Sequence, residues 1–264
     1  MRVLITGSNG LLGQKLVRQC LDNSIEFLAT SKGENRNSFC PYEKYVSMDI
    51  TSSDEIEEVI KSYVPTHLIH TAAMTNVDQC ENDPELCQLV NVVAVKILFD
   101  CSVKNEIHFQ LLSTDFVFDG NASTPYRPDA TTSPLGEYGH SKLAGEEAVL
   151  RAQPEALVVR TGWVYSSFGG NFVKTMLRLM GERDELGVVC DQVGTPTWAN
   201  GLATALWAAA AKPDLAGIYH WSDAGVCSWY DFAMAICEEA LSLGLLTRSP
   251  TIRPIPAVDY PTPA

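Results

Sequence analysis

Eight residues constrain this chain more than any others: Thr6-Gly7-Ser8-Asn9-Gly10-Leu11-Leu12-Gly13. They follow an apolar β-branched run, Arg2–Thr6, and open an amphipathic stretch, Leu11–Leu21, with Leu12, Leu16 and Val17 on one face. The glycines are spaced GxxGxxG. Glycine suits positions of positive φ and positions where backbone must approach a pyrophosphate. The helix that follows offers free N–H groups and a positive dipole end to phosphates. A glycine-rich turn without a ligand would look the same in isolation. On the first strand-to-helix turn of an α/β chain, it predicts a dinucleotide site built on Gly7, Gly10 and Gly13.

The pattern continues in kind. Strands are predicted at Glu26–Thr30, Thr66–His70, His108–Leu112 and Ala156–Arg160. Helices are predicted at Ser53–Tyr63, from Asp83-Pro84 to about Lys104, and at Gly136–Ala152. Short strands alternating with helices predict an α/β, Rossmann-type doubly wound parallel sheet over residues 1–165. Beyond it helices dominate: Asn171–Met180, Asn200–Ala211 and Ser228–Leu243, with strand-like pieces at Gly187–Cys190 and Gly217–His220. Residues 166–264 are therefore expected to form mainly a smaller C-terminal substrate-binding α/β subdomain. The run Asp259-Tyr-Pro-Thr-Pro-Ala264 reads as an early end, leaving that subdomain's wall incomplete.

The net charge of −13 disfavours nucleic-acid phosphates and anionic lipid as partners. No signal peptide is legible, and no stretch reads as a membrane span. The eight cysteines are scattered without CxxC spacing, which suits thiols of a reducing, cytoplasmic compartment. After the second strand stand Ser31 and Lys32, with Arg36 nearby and no carboxylate to repel a 2′-phosphate. That predicts NADPH over NADH, or use of both, unless the two cations are merely solvated.

Tyr138 and Lys142 lie one helical turn apart and can share a site, the cation favouring the phenolate and lowering the tyrosine's pKa. Leu111-Leu112-Ser113-Thr114-Asp115 ends a strand in hydroxyls, where ligands of parallel sheets bind. Together these residues resemble the extended short-chain dehydrogenase/reductase family. Within it, Thr71–Asp78, Ser113–Gly120, Ser133–Glu146, Arg160–Tyr165, Gly170–Leu177, Asp191–Thr197, Ser228–Ala233 and Asp259–Ala264 resemble the dTDP-4-dehydrorhamnose reductases.

The resemblance implies reduction of the C4 ketone of dTDP-4-dehydro-β-L-rhamnose by NADPH. Tyr138 would donate the proton, Lys142 would hold the nicotinamide ribose, and Thr114 would bind the reacting oxygen. Asp115 and Trp163 would hold the sugar, although the one could cap a turn and the other fill core. Gly10, Leu11 and Leu12 would lie under the pyrophosphate, Asp49 and Ile50 would flank the adenine, Ala73, Met74 and Thr75 would line the nicotinamide ribose, and Leu112 would line the cofactor. Some relatives bridge a dimer through magnesium held by glutamates. Lys15 and Asp191-Gln192-Val193 depart from that pattern, so no metal site is expected, while a homodimer of another form stays open. Tyr219-His220-Trp221-Ser222 equally resembles the NADP-binding regulatory subunit of methionine adenosyltransferase, and another nucleotide-4-keto-sugar reductase would share the cofactor half.

NADPH and a nucleotide sugar are anions approaching a chain of charge −13. Screening weakens that unfavourable field. The affinity for NADPH, followed by fluorescence titration, is expected to rise from about 10 to about 100 mM salt. A monotonic fall would show that local cations dominate.

Overall fold

Alternate residues of β1 (Arg2–Thr6) go to opposite faces: Leu4 is buried in one helical layer, Val3 and Ile5 in the other. A strand covered on both faces needs an unbroken apolar run, and a parallel sheet supplies such cover through its crossover helices. A computed structural model of the chain describes residues 1–153, 156–212 and 214–260. The run that starts at Asp259 therefore lies, from residue 261 on, outside the described residues.

In chain order β1 is followed by α1 (Leu11–Asp22), β2 (Glu26–Ser31), β3 (Tyr45–Ser47), α2 (Ser53–Tyr63) and β4 (His67–His70). Then come α3 (Val77–Asn82), α4 (Pro84–Gln88), a π-helical turn (Leu89–Val93), α5 (Ala94–Lys104) and β5 (His108–Thr114). After these come α6 (Glu137–Ala152) and β6 (Leu157–Thr161). With the later strand Gly217–His220 they build a seven-stranded parallel sheet, in the order Gly217–His220, β6, β5, β4, β1, β2, β3. The order reverses between β1 and β4, which opens a crevice at their carboxyl ends.

Helices α2, α5 and α6 cover the Leu4 face, with Ile56, Ile60, Leu98, Phe99 and Val149 in its core. Helix α1 and α8 (Ala199–Ala210) cover the other, through Leu12, Leu16, Leu202 and Leu206. Residues after 165 are thus not confined to a second layer, since α8 and Gly217–His220 complete the first. The rest form a separate core. In it α7 (Phe172–Glu182) and α9 (Trp229–Ser242) pack on the strand Glu185–Val189 through Met176, Met180, Ile236 and Val188. That strand pairs in parallel with Thr251–Ile255. Helix α9 starts from a capping box between Ser228 and Asp231.

One expectation from sequence needs correction. Pro84–Lys104, with 21 residues and mean hydropathy 1.7, is long and apolar enough to cross a bilayer. The structure shows why it reads so: Val95, Leu98 and Phe99 are buried against Leu68 of β4 and Phe109 and Leu111 of β5. It is a core helix of the sheet. It is also not one regular helix, because the Leu89–Val93 turn inserts a π segment.

Candidate active site

The glycine loop is shaped by close backbone approach. Gly7 has φ of +75°, and a Cβ there would lie 2.7 Å from the Ala72 nitrogen. Gly13 abuts the Gly7 carbonyl, and a Cβ there would reach the Ser8 Cα at 2.6 Å. The loop is closed by a bond from the Gly10 amide to the Gly7 carbonyl at 2.9 Å. Helix α1 begins with no side-chain cap and no acidic residue in its first turn. The amides of Leu11, Leu12 and Gly13 lie ahead of the first intrahelical bond, made by Gln14 to Gly10 at 3.1 Å. Such bare amides fit a pyrophosphate. The segment after residue 165 folds over this end. There Phe168 packs edge-on to Phe39, and Lys15 donates to Ser167 at 3.3 Å.

At the end of β2 the Ser31 hydroxyl accepts from the Asn9 amide at 3.1 Å. Lys32 pairs with Asp49 at 2.6 Å, a contact the sequence reading of Lys32 as a free cation did not contain. The bonded Lys32 and the Thr51 amide hold the Asp49 carboxyl down to about 2. Lys32 is largely exposed and Asp49 partly so, and such a pair costs little to open. Arg36 is exposed, its amide held by Asn9 at 2.8 Å. Ile50, beside Asp49, packs on the core.

Tyr138 and Lys142 are both buried on α6, where that helix crosses the end of β5. The Lys142 ammonium donates to the Leu112 carbonyl at 2.8 Å, its sole hydrogen bond among the described residues. Burial pulls the Lys142 pKa down to about 8, with the Glu146 charge opposing. Burial pushes the Tyr138 phenol up, and the neighbouring Thr114 hydroxyl only partly offsets it. This corrects the expected lowering of the tyrosine by Lys142: desolvation sets the direction, and the ammonium donates to Leu112 rather than to the phenol. Thr114 also accepts from the Phe116 amide at 3.2 Å, so it caps a turn as well as facing the phenol. Asp115 is open to solvent on one side, while its carboxyl rests against Gly162. Burial of that carboxyl raises its pKa to about 6, and solvent on the open side tempers the shift. His70, at the end of β4, is fully buried and pulled down to about 3, its Nδ1 bonded to the Thr6 hydroxyl at 2.7 Å.

Three groups at this site were not singled out from sequence. Asn91, inside the π turn, clasps Met74 twice: its Oδ1 accepts from the Met74 amide at 2.9 Å and its Nδ2 donates to the Met74 carbonyl at 3.0 Å. The same Nδ2 reaches Ser141, between Tyr138 and Lys142, at 3.0 Å. It thereby ties the Ala73-Met74-Thr75 segment to α6. A lone amide within the apolar run Leu89–Val95 was the signal available. Trp229 stacks on Trp163 with centroids 3.4 Å apart and planes 7° apart. Trp163 itself has φ of +51°, a strained conformation for a bulky residue. One indole face is therefore taken by Trp229. Glu146 and Arg160 form an ion pair at 2.6 Å, each almost wholly buried.

A doubly wound parallel sheet with bare amides at the first helix defines a Rossmann-type α/β fold, with a buried Tyr–Lys pair at the carboxyl end of β5. The comparisons narrow this. The family model described as RmlD substrate binding domain matches residues 1–264. A dTDP-4-dehydrorhamnose reductase of Aggregatibacter actinomycetemcomitans is 39% identical over 267 residues, covering 99% of this chain and 86% of the relative. The crystal structure of a dTDP-4-dehydrorhamnose reductase from Clostridium acetobutylicum aligns with a TM-score of 0.87 at 34% identity, covering 100% of this chain and 87% of that one. One from Bacillus anthracis, in complex with NADP, aligns at 0.84 and 31% identity, covering 100% and 86%. The chain belongs to the dTDP-4-dehydrorhamnose reductase family.

The burial of Lys142 has a consequence for stability. Its pKa is about 8 in the fold and 10.5 in the open chain, so between those values the unfolded state binds more protons and stability rises with pH. Lys142→Met removes the cost of burying the charge. It is expected to unfold in urea with up to about 3 kcal/mol more stability than wild type below pH 8, the gap closing by about pH 10.5. A gap independent of pH would contradict the placement of Lys142.

Proposed function

We propose that the chain reduces dTDP-4-dehydro-β-L-rhamnose to dTDP-β-L-rhamnose with NADPH, in the biosynthesis of dTDP-rhamnose. The observation that carries the reading is the burial of Tyr138 and Lys142 together beside Thr114, at the carboxyl end of β5. The family membership and the NADP complex of the Bacillus anthracis relative support it. The bare amides of Leu11, Leu12 and Gly13 and the crowded Gly7 suit a pyrophosphate, so the residues present fit the cofactor.

NADPH, when bound, supplies the hydride that reaches C4 of the keto sugar. The chain's own residues do the rest. The phenol of Tyr138, protonated at neutral pH because burial disfavours the phenolate, gives its proton to the developing alkoxide. The Thr114 hydroxyl bonds the same oxygen. Lys142 spends one proton on the Leu112 carbonyl and turns the others towards the nicotinamide ribose. Met74, fixed at both backbone polar atoms by Asn91, forms the wall of that ribose pocket with Ala73 and Thr75. Asp49, Ile50 and Ser31 border the adenosine end. With Lys32 drawn to Asp49, Arg36 is left as the freer cation for a 2′-phosphate. Asp115 accepts from a sugar hydroxyl, and Trp163, backed by Trp229, gives the sugar an apolar wall. The C-terminal core of α7 and α9 serves as the substrate-binding half. The location we infer is the cytoplasm, where NADPH and eight free thiols are both at home.

The direct test is NADPH oxidation across a panel of nucleotide 4-keto sugars. Turnover is expected with the dTDP-linked 4-keto sugar. NADPH binding without turnover on any member of the panel, combined with co-purification of a larger synthetase, would favour a regulatory subunit. Tyr138→Phe is expected to lower kcat by on the order of 10²-fold or more while NADPH still binds. Unaltered turnover in that variant would sink the proton-transfer role. An acidic limb in log(kcat/KM) is expected above the ordinary carboxylate range and no higher than about pH 6, as Asp115 loses its charge, and Asp115→Asn should flatten it.

A further inference from the structure

Tyr138, Lys142 and Glu146 succeed one another at four-residue steps and form one stripe of α6. The first two face the candidate reaction centre. The third faces Arg160 of β6, whose Nε donates to the carboxylate at 3.0 and 3.1 Å and whose Nη2 donates at 2.6 Å. Arg160 reaches further. Its Nη1 donates to the Pro128 carbonyl at 3.3 Å, and its guanidinium lies 5.2 Å over the Phe118 ring. Its backbone carbonyl accepts from the Trp221 amide at 2.9 Å, beside the strand Gly217–His220. One side chain thus links α6, β6 and the loop that follows Asp115.

A buried ion pair is a poor way to gain stability, because desolvation of two charges consumes most of their attraction. Apolar residues of similar volume often do as well. What an apolar contact cannot do is fix direction. A guanidinium fork meets a carboxylate in few orientations, so the pair locks the helix against rotation about its axis and against sliding along the sheet. The other end of α6 is anchored independently: the Glu81 carboxylate of α3 accepts from the Glu137 amide at 2.6 Å, in place of the missing side-chain cap at Gly136. Tyr138 and Lys142 lie between these two anchors. Close approach of the helix is allowed at Gly145, where a Cβ would come within 2.5 Å of the Asn91 carbonyl. At that spacing a small rotation would carry the phenol away from Thr114 and the ammonium away from Leu112.

We propose that the buried Glu146–Arg160 pair is a positioning device for the reaction centre, setting the rotation of α6 that aims Tyr138 and Lys142 at the ends of β4 and β5. The inference rests on the catalytic reading of Tyr138 and Lys142 given above. The charge of Glu146 has a second effect, since it favours the Lys142 ammonium that burial disfavours. Cys87 of α4 acts on Lys142 in the same sense, and His70 of β4 also lies within reach of its field.

The test uses the full chain. The double variant Glu146→Leu/Arg160→Met removes both charges at similar volume and is expected to fold, with cooperative thermal unfolding. NADPH affinity, measured by fluorescence, and KM for the nucleotide sugar are expected to stay within about threefold of wild type, while kcat falls about 10- to 100-fold. Arg160→Lys keeps a cation opposite Glu146 but lacks the fork, and is expected to fold with kcat lowered at least about fivefold. Wild-type kcat in either folded variant overturns the proposal. Equal losses in kcat and NADPH affinity would do so too, because they indicate general loosening. Tyr138→Phe run alongside separates the two readings. If it is inactive while the double variant turns over normally, only the positioning role fails. If it is fully active, the catalytic reading fails first.

Discussion

An ammonium taken out of water must be given acceptors, and in this protein the acceptor is the Leu112 carbonyl. That bond forces much of the surrounding architecture. Helix α6 has to lie close enough to the end of β5 for a four-carbon side chain to reach a strand carbonyl. Close packing requires Gly145 against the π turn, and the π turn turns Asn91 towards Met74 and Ser141. The same depth of burial keeps the Tyr138 phenol protonated. A shallower helix would keep both side chains but lose the shifts that burial imposes on them.

The loop at Gly7 and the stripe on α6 are made by different physics. The loop works by subtraction, with glycine at positions 7, 10 and 13, no side-chain cap and no acid in the first turn, so that backbone amides are left bare. The stripe works by enclosure, with titratable groups stacked at helical spacing and Tyr138 and Lys142 shifted by their burial. The crevice between β1 and β4 brings the two within reach of one extended ligand. That division explains how a chain of charge −13 can present a site for anions: the sign of the whole surface matters less than a few oriented dipoles at short range.

Features written in local spacing were legible from sequence. The glycine turn, the Tyr138–Lys142 pair and the strand-end hydroxyls each sit within a few residues of one another, and the period of the apolar residues placed them at the right end of the sheet. Features that depend on partners far along the chain were not. Lys32 and Asp49 are 17 positions apart, Glu146 and Arg160 are 14, and Trp163 and Trp229 are 66. No periodicity links such pairs until the strand order is known. The run Pro84–Lys104 matches a membrane span in length and composition for a related reason. Its apolar content reports burial, and only the packing of Val95, Leu98 and Phe99 on β4 and β5 says burial in what. The π turn within it was invisible, because an inserted residue leaves no signature in composition.

The strand Gly217–His220 carries a consequence for how the chain comes off the ribosome. It supplies the outer edge of the sheet, and α8 supplies half the cover of the face that α1 begins. The nucleotide-binding layer therefore cannot close until synthesis has passed His220. Until then β6 presents an unpaired edge, and its Leu157 and Val159 lack their lid of Leu202 and Leu206, a nascent state that invites chaperones. Parallel pairing across such separations is slow, so elements made late decide when the first ones become native.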